Sequence, residues 1–202
     1  MKWPDSEPAR SAADGTADLR PPGTPPARKT IIVFFDMVGV FEEFTLVNQL
    51  YFDVADIAPE SSYAQDGVRA LNSLILSWQR DGHDVFLVCV SGVRSEFTRE
   101  ELTAYLLARG FDGDAIRLHE RHSVPKLEDG TVPATKGDEV ERWLSQHRWD
   151  ACVILDDYND GYRKPSFIHV DPEIGVSVEN VEKAACCVAR QFAGVPAGQS
   201  GQ

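Results

Sequence analysis

Cysteine is scarce, and none of it has metal-ligand spacing. Of the four cysteines, Cys89 and Cys152 lie within apolar, strand-like runs, and Cys186 and Cys187 are neighbours in a helical pattern. That excludes a disulfide scaffold and a thiolate zinc site, and reads as free thiols in a reducing cytoplasm, with one of the adjacent pair buried and one peripheral. No apolar stretch approaches the length of a membrane span, and the N-terminus lacks the apolar core of a signal peptide, so a cytoplasmic protein without a membrane partner is expected. Positive charge is also short: 20 Lys and Arg stand against 32 Asp and Glu, a formal net charge of −12. Residues 1–28 balance Lys2, Arg10, Arg20 and Arg28 against Asp5, Glu7, Asp14 and Asp18, so the deficit falls on the rest of the chain. A broad nucleic-acid footprint is thereby disfavoured, while a strand end bound locally is not.

What is present suits one globular domain: 202 residues, 43% of them hydrophobic. Residues 1–28 hold six of the 12 prolines and no apolar period, the pattern of a disordered arm. The domain is expected over residues 29–193, with a loose tail at 194–202. Ile31-Ile32-Val33-Phe34-Phe35 is an unbroken apolar run, read as a strand buried on both faces. Residues 40–65 mix Phe41, Phe44, Leu46 and Tyr51 with Glu42 and Glu43 and are expected to form a flap over the strand ends. Val68, Leu71, Ile75 and Trp78 then follow helical spacing. Val85-Phe86-Leu87-Val88-Cys89-Val90 is a second buried strand, ending in Ser91-Gly92. Thr98 and Glu101 form a capping box for a helix reaching about Gly110. A short strand is expected at Ile116-Arg117-Leu118, and a hairpin turn at Asp129-Gly130 between Leu127 and Val132. His119 and His122 lie in a charged stretch and read as solvated. A helix from Lys136 precedes the strand Cys152-Val153-Ile154-Leu155, which ends in Asp156-Asp157. A last strand at Phe167-Ile168-His169-Val170 precedes a helix opened by Ser177. Alternating buried strands and helices specify an α/β fold, a mostly parallel sheet with helices on both faces.

In such a sheet the carboxyl ends of the strands share one edge, where ligands bind. Asp36, Ser91 and Asp156-Asp157 can therefore converge there, with Lys136 opening the helix before the last strand of the three. Carboxylates with one hydroxyl and one lysine suit phosphoryl transfer with a hard divalent cation. Asp36 and Asp156, with Asp157 or Asp160, are candidate Mg²⁺ ligands through oxygen. Asp36 is a candidate nucleophile, and Ser91 and Lys136 candidate partners for the phosphate oxygens. Gly92 and Arg94, which follow Ser91, and Asp160 are candidate phosphate or substrate contacts, although Arg94 equally suits an ion pair with Glu96.

The order of strand-Asp36, strand-Ser91, Lys136 and strand-Asp156-Asp157 resembles the four motifs of the haloacid dehalogenase (HAD) superfamily. Three stretches are the most specific part: Lys136-Gly137-Asp138-Glu139-Val140-Glu141-Arg142-Trp143-Leu144, Val153-Ile154-Leu155-Asp156-Asp157, and His169-Val170-Asp171-Pro172-Glu173-Ile174-Gly175-Val176. They look like the small, nearly capless branch found alone and within Swiss-army-knife RNA-repair proteins. The resemblance implies a Rossmann-like, doubly wound sheet with a minimal cap. It matches Asp36 to the nucleophile, Ser91 to the phosphate-binding hydroxyl and Lys136 to the basic residue beside them. Asp156 and Asp157 match the metal-binding acids, and the main-chain carbonyl of Val38 would face the metal.

Val38 also marks a departure. The family's phosphatases carry a second aspartate there, as general acid and then general base. A valine can do neither, and general acid–base catalysis is worth ~10²–10⁴-fold in rate, or roughly 3–5 kcal/mol of barrier. Alkyl phosphates would suffer most, acyl and aryl phosphates and anhydrides less. The valine reads equally as a natural replacement and as a substituted active site. Three functions stay open: a Mg²⁺-dependent phosphohydrolase or phosphotransferase acting on a phosphorylated small molecule, a non-catalytic descendant that binds a phosphorylated ligand or a protein, and chemistry other than phosphoryl transfer on a carboxylate-nucleophile scaffold.

Overall fold

The computed structural model describes residues 28–43, 63–92, 94, 97–126, 134–163 and 166–194. Most of the expected arm, flap positions 44–62, the Asp129-Gly130 turn, Glu96 and nearly all of the tail lie outside the described residues. Five parallel strands are seen among them: β1 (Thr30–Phe35), β2 (Asp84–Cys89), β3 (Leu118–Ser123), β4 (Ala151–Asp156) and β5 (Phe167–His169), in the spatial order β3-β2-β1-β4-β5. Three helices connect strands, α1 (Gln65–Arg80), α2 (Arg99–Ala108) and α3 (Lys136–Gln146), and α4 (Val178–Phe192) follows β5. This is an α/β, Rossmann-like, doubly wound sheet. Among the described residues, no helix is long and apolar enough to cross a membrane.

β1 is the central strand, and its β-branched and aromatic residues fit a pleated surface covered on both sides. The period of two splits it between two cores. Ile31, Val33 and Phe35 face the larger core, with Leu71 and Ile75 of α1, Leu102 and Tyr105 of α2, and Val181 and Val188 of α4. Ile32 and Phe34 face the other, with Val140 and Trp143 of α3. Phe34 meets Trp143 edge to face, ring centroids 5.3 Å apart. The two faces are thus covered unequally, one by three helices and the other by α3.

Three capping boxes open α2, α3 and α4: Thr98 with Glu101, Thr135 with Asp138, and Ser177 with Asn180. Each satisfies backbone donors that a helix start leaves orphaned.

β3 differs from the expected short strand. It lies further along, at Leu-His-Glu-Arg-His-Ser, and its register against β2 shifts between the Leu87–Leu118 and Cys89–Ser123 pairs. An edge strand pairs on one side only, so it tolerates charged residues that a central strand would not. Arg99 donates to the carbonyls of Leu118 (3.0 Å) and His119 (2.7 Å) where the ladder is irregular. His119 is correspondingly not solvated: it is half-buried against Phe86, Trp143 and His147. Burial, with His147 nearby, lowers its pKa.

Because Phe34 is fully buried between β1 and α3, Phe34→Ala is expected to lower unfolding stability by about 3–5 kcal/mol. Urea denaturation followed by tryptophan fluorescence measures it. A loss under about 1 kcal/mol would mean that α3 does not hold this face of the sheet.

Candidate active site

β1 and β4 are neighbours, but the chain leaves β1 towards β2 on one side and β4 towards β5 on the other. Such a switch point opens a crevice at the carboxyl edge of the sheet. The register pairs Phe35 with Leu155, and the Asp36 amide donates to the Leu155 carbonyl at 2.9 Å, so Asp36 and Asp156 emerge side by side. Ligand oxygens of Asp36, Asp156 and Asp157 all lie within 4.8 Å of one another.

Asp36 and Asp156 are each held by the backbone that follows them. Asp36 Oδ1 accepts the Met37 amide at 2.7 Å, and Asp156 Oδ1 accepts the Tyr158 amide at 2.9 Å. Asp157 is half-buried and its carboxylate lies against Gly39, where a Cβ would come within 2.6 Å of it. Gly39 also has φ +77°, a conformation that side chains resist, so the turn after β1 admits Asp157 only with glycine there. The same turn is closed by Gly39 N–H donating to the Glu42 carbonyl at 2.7 Å and Phe41 N–H donating to the Met37 carbonyl at 3.0 Å. Val38, half-exposed, sits on it. Glu42 turns inwards to Arg109 at the end of α2, 3.0 Å away.

Lys136 bridges the first two acids. Its Nζ lies 2.5 Å from Asp36 Oδ2 and 3.0 Å from Asp156 Oδ2. Burial works against the ammonium, but the two carboxylates overcome it and raise its pKa, so Lys136 stays charged. Burial, then the neighbouring Asp36, pushes Asp156 up to about 6 and raises Asp157 as well. Asp156 is fully buried, and a tyrosine that sequence reasoning missed, Tyr162, donates its hydroxyl to Asp156 Oδ2 at 2.8 Å. No spacing rule marks Tyr162. It is a buried aromatic stacked on Phe167, and burial followed by Asp156 raises its pKa so that the hydroxyl remains a donor.

The first turn of α3 is fitted tightly to the loop after β4. Asp160 accepts the Lys136 amide on its side chain and the Gly137 amide on its carbonyl, both at 2.9 Å. A Cβ on Gly137 would strike the Gly161 carbonyl at 2.2 Å, so the approach needs a glycine. Asp160 therefore caps the helix and stands apart from the three clustered acids. Ser91 is buried just past β2, and Gly92 is exposed beside it. Arg94 is buried, and its guanidinium binds Glu139 and the carbonyls of Val90, Ser91 and Val124. Those donors serve the protein's own groups. The ion pair seen is with Glu139, while the expected partner Glu96 lies outside the described residues.

Three carboxylates supply hard oxygen donors and more negative charge than one ammonium balances, a set that fits a divalent cation. The family model described as the HAD domain in Swiss Army Knife RNA repair proteins matches residues 32–181. The chain belongs to that family, a HAD-type hydrolase family, and carries an aspartate cluster able to chelate a divalent metal. Neither a curated protein nor a solved structure matches it.

A cation must displace the proton that Asp156 binds as the pH falls through about 6. Divalent-cation affinity is therefore expected to be level well above that pH and to fall by up to about tenfold per pH unit below it, with proton release on binding. Calorimetric titrations in buffers of different ionisation enthalpy measure both. Affinity independent of pH between 5 and 7 would show that Asp156 does not bind the cation.

Proposed function

We propose that the protein is a Mg²⁺-dependent phosphohydrolase or phosphotransferase working through an aspartyl-phosphate on Asp36. The convergence of Asp36 with Asp156, Asp157 and Lys136 carries this reading. Asp36, Asp156, Asp157 and the main-chain carbonyl of Val38 would hold the ion. When bound, Mg²⁺ supplies positive charge that offsets repulsion between an anionic phosphate and a carboxylate nucleophile.

Met37 N–H on Oδ1 and Lys136 on Oδ2 fix the Asp36 carboxylate in orientation. An oxygen of Asp36 attacks phosphorus, the bond from phosphorus to the leaving oxygen breaks, and the leaving oxygen takes its electron pair. Lys136 and the Ser91 hydroxyl bind phosphate oxygens as charge builds on them. Water then attacks phosphorus, releasing phosphate and restoring Asp36, or another acceptor takes the phosphoryl group. With Val38 in the family's acid–base position, no side chain there protonates the leaving oxygen or activates the water. The favoured substrates are therefore phosphorylated small molecules whose leaving group needs no proton: acyl phosphates, aryl phosphates and anhydrides. The RNA-repair setting of the matched family makes a nucleic-acid end the alternative, and the net charge of −12 weighs against it.

Val38 itself favours a second reading, a non-catalytic protein that binds a phosphorylated ligand or a partner in the same pocket. Hydrolysis of an aryl phosphate in Mg²⁺ by the parent chain, Val38→Asp and Asp36→Asn separates the two. We expect Val38→Asp to gain about two orders of magnitude or more and Asp36→Asn to be inactive. No gain from Val38→Asp in a chain that still binds Mg²⁺ would move the binding reading ahead.

A further inference from the structure

The two phosphate-binding groups proposed above come from different connections, Ser91 from the end of β2 and Lys136 from the start of α3. One buried ion pair joins them. Arg94, three residues after Ser91, and Glu139, three residues after Lys136, are 3% and 7% exposed. Arg94 Nη2 donates to Glu139 Oε2. The rest of the guanidinium gathers backbone: Nη1 donates to the carbonyls of Val90 (3.1 Å) and Ser91 (2.8 Å), and Nε to that of Val124. Val124 is itself tied to β2 through its amide, which donates to the Cys89 carbonyl at 3.0 Å. A single side chain thus sets the peptide planes on both sides of Ser91 and anchors them to the helix turn that bears Lys136.

Burying two charges costs several kcal/mol per ion before their attraction is counted, and apolar residues of similar volume often replace such pairs without loss of stability. What apolar residues cannot replace is direction, because the planar fork of arginine presents its donors at fixed angles. Direction matters here. Ser91 and Lys136 must meet one phosphate together, and a displacement of about 1 Å in such a site can cost ~10²-fold in rate.

We propose that Arg94 and Glu139 are positioning residues that hold the Ser91 loop and the Lys136 turn in the alignment that binds phosphate. The inference rests on the phosphoryl-transfer reading of the site. It assigns neither residue a contact with substrate.

The test uses the full chain with Glu139→Gln, which keeps an acceptor and the side-chain volume, and Arg94→Lys, which keeps the charge but not the fork. Three quantities are read: the Kd for Mg²⁺ alone, the Kd for orthovanadate in saturating Mg²⁺, and the melting temperature. Vanadate binding is expected to weaken by ~10–100-fold in both variants, as for second-layer partners of a site. Mg²⁺ affinity is expected to fall several-fold less than vanadate affinity, because neither residue touches the three acids and only Lys136 links the pair to them. Vanadate binding equal to the parent's would overturn the proposal. So would parallel losses of Mg²⁺ and vanadate binding that track the melting temperature, or failure of both variants to fold, since the pair would then serve stability alone. A parent chain that binds Mg²⁺ but no vanadate would instead remove the phosphoryl-transfer reading, and this inference with it.

Discussion

Three carboxylates within 4.8 Å of one another repel, and the arrangement around them is organised to hold them together. The adjacency of β1 and β4 makes Asp36 and Asp156 neighbours before any side chain acts. Lys136 then supplies the nearest positive charge, and its position depends on the start of α3. There Thr135 and Asp138 cap the helix, Asp160 receives its first amides, and Gly137 lets it close on the loop after β4. One ammonium against three acids leaves the cluster short of positive charge. Burial first, and the Asp36 carboxylate second, push Asp156 up to about 6 and raise Asp157. A divalent cation is the natural complement.

Much of this was legible in the sequence because burial on both faces leaves an unambiguous mark. The apolar runs of β1, β2 and β4 show where the central strands lie, and a polar residue at the end of each shows where they stop. Lys136 was readable from its place at the head of an amphipathic helix. β3 was displaced because it is an edge strand, and its Glu120 and Arg121 lack the apolar signature that locates central strands. The capping boxes of α3 and α4 use Asp138 and Asn180 where the usual pattern has Glu or Gln, so only that of α2 stood out. Tyr162 and the Arg94–Glu139 pair depend on segments brought together by the sheet, and no local spacing encodes them. The closeness of Gly39 to Asp157 arises only once β1 and β4 pair.

The valine at position 38 gives the proposed chemistry its particular character. On that proposal Asp36 is the nucleophile, and Lys136 and the clustered acids stand beside it, so formation of an acyl phosphate would need nothing further when the leaving group is good. Its hydrolysis does lack something, because water must attack without a base beside it. A site that works as proposed would form the intermediate more readily than it destroys it, which would suit transfer to another acceptor or a long-lived phosphorylated state as well as slow hydrolysis.

The most direct measurement is acid-quenched phosphoenzyme trapping with a labelled acyl or aryl phosphate, with the modified residue located by peptide mapping. The expected result is a phosphoryl group on Asp36 that requires Mg²⁺, disappears in Asp36→Asn and decays faster in Val38→Asp than in the parent. Turnover with no label on Asp36, or a label on another residue that survives Asp36→Asn, would contradict the central claim that this carboxylate is the nucleophile.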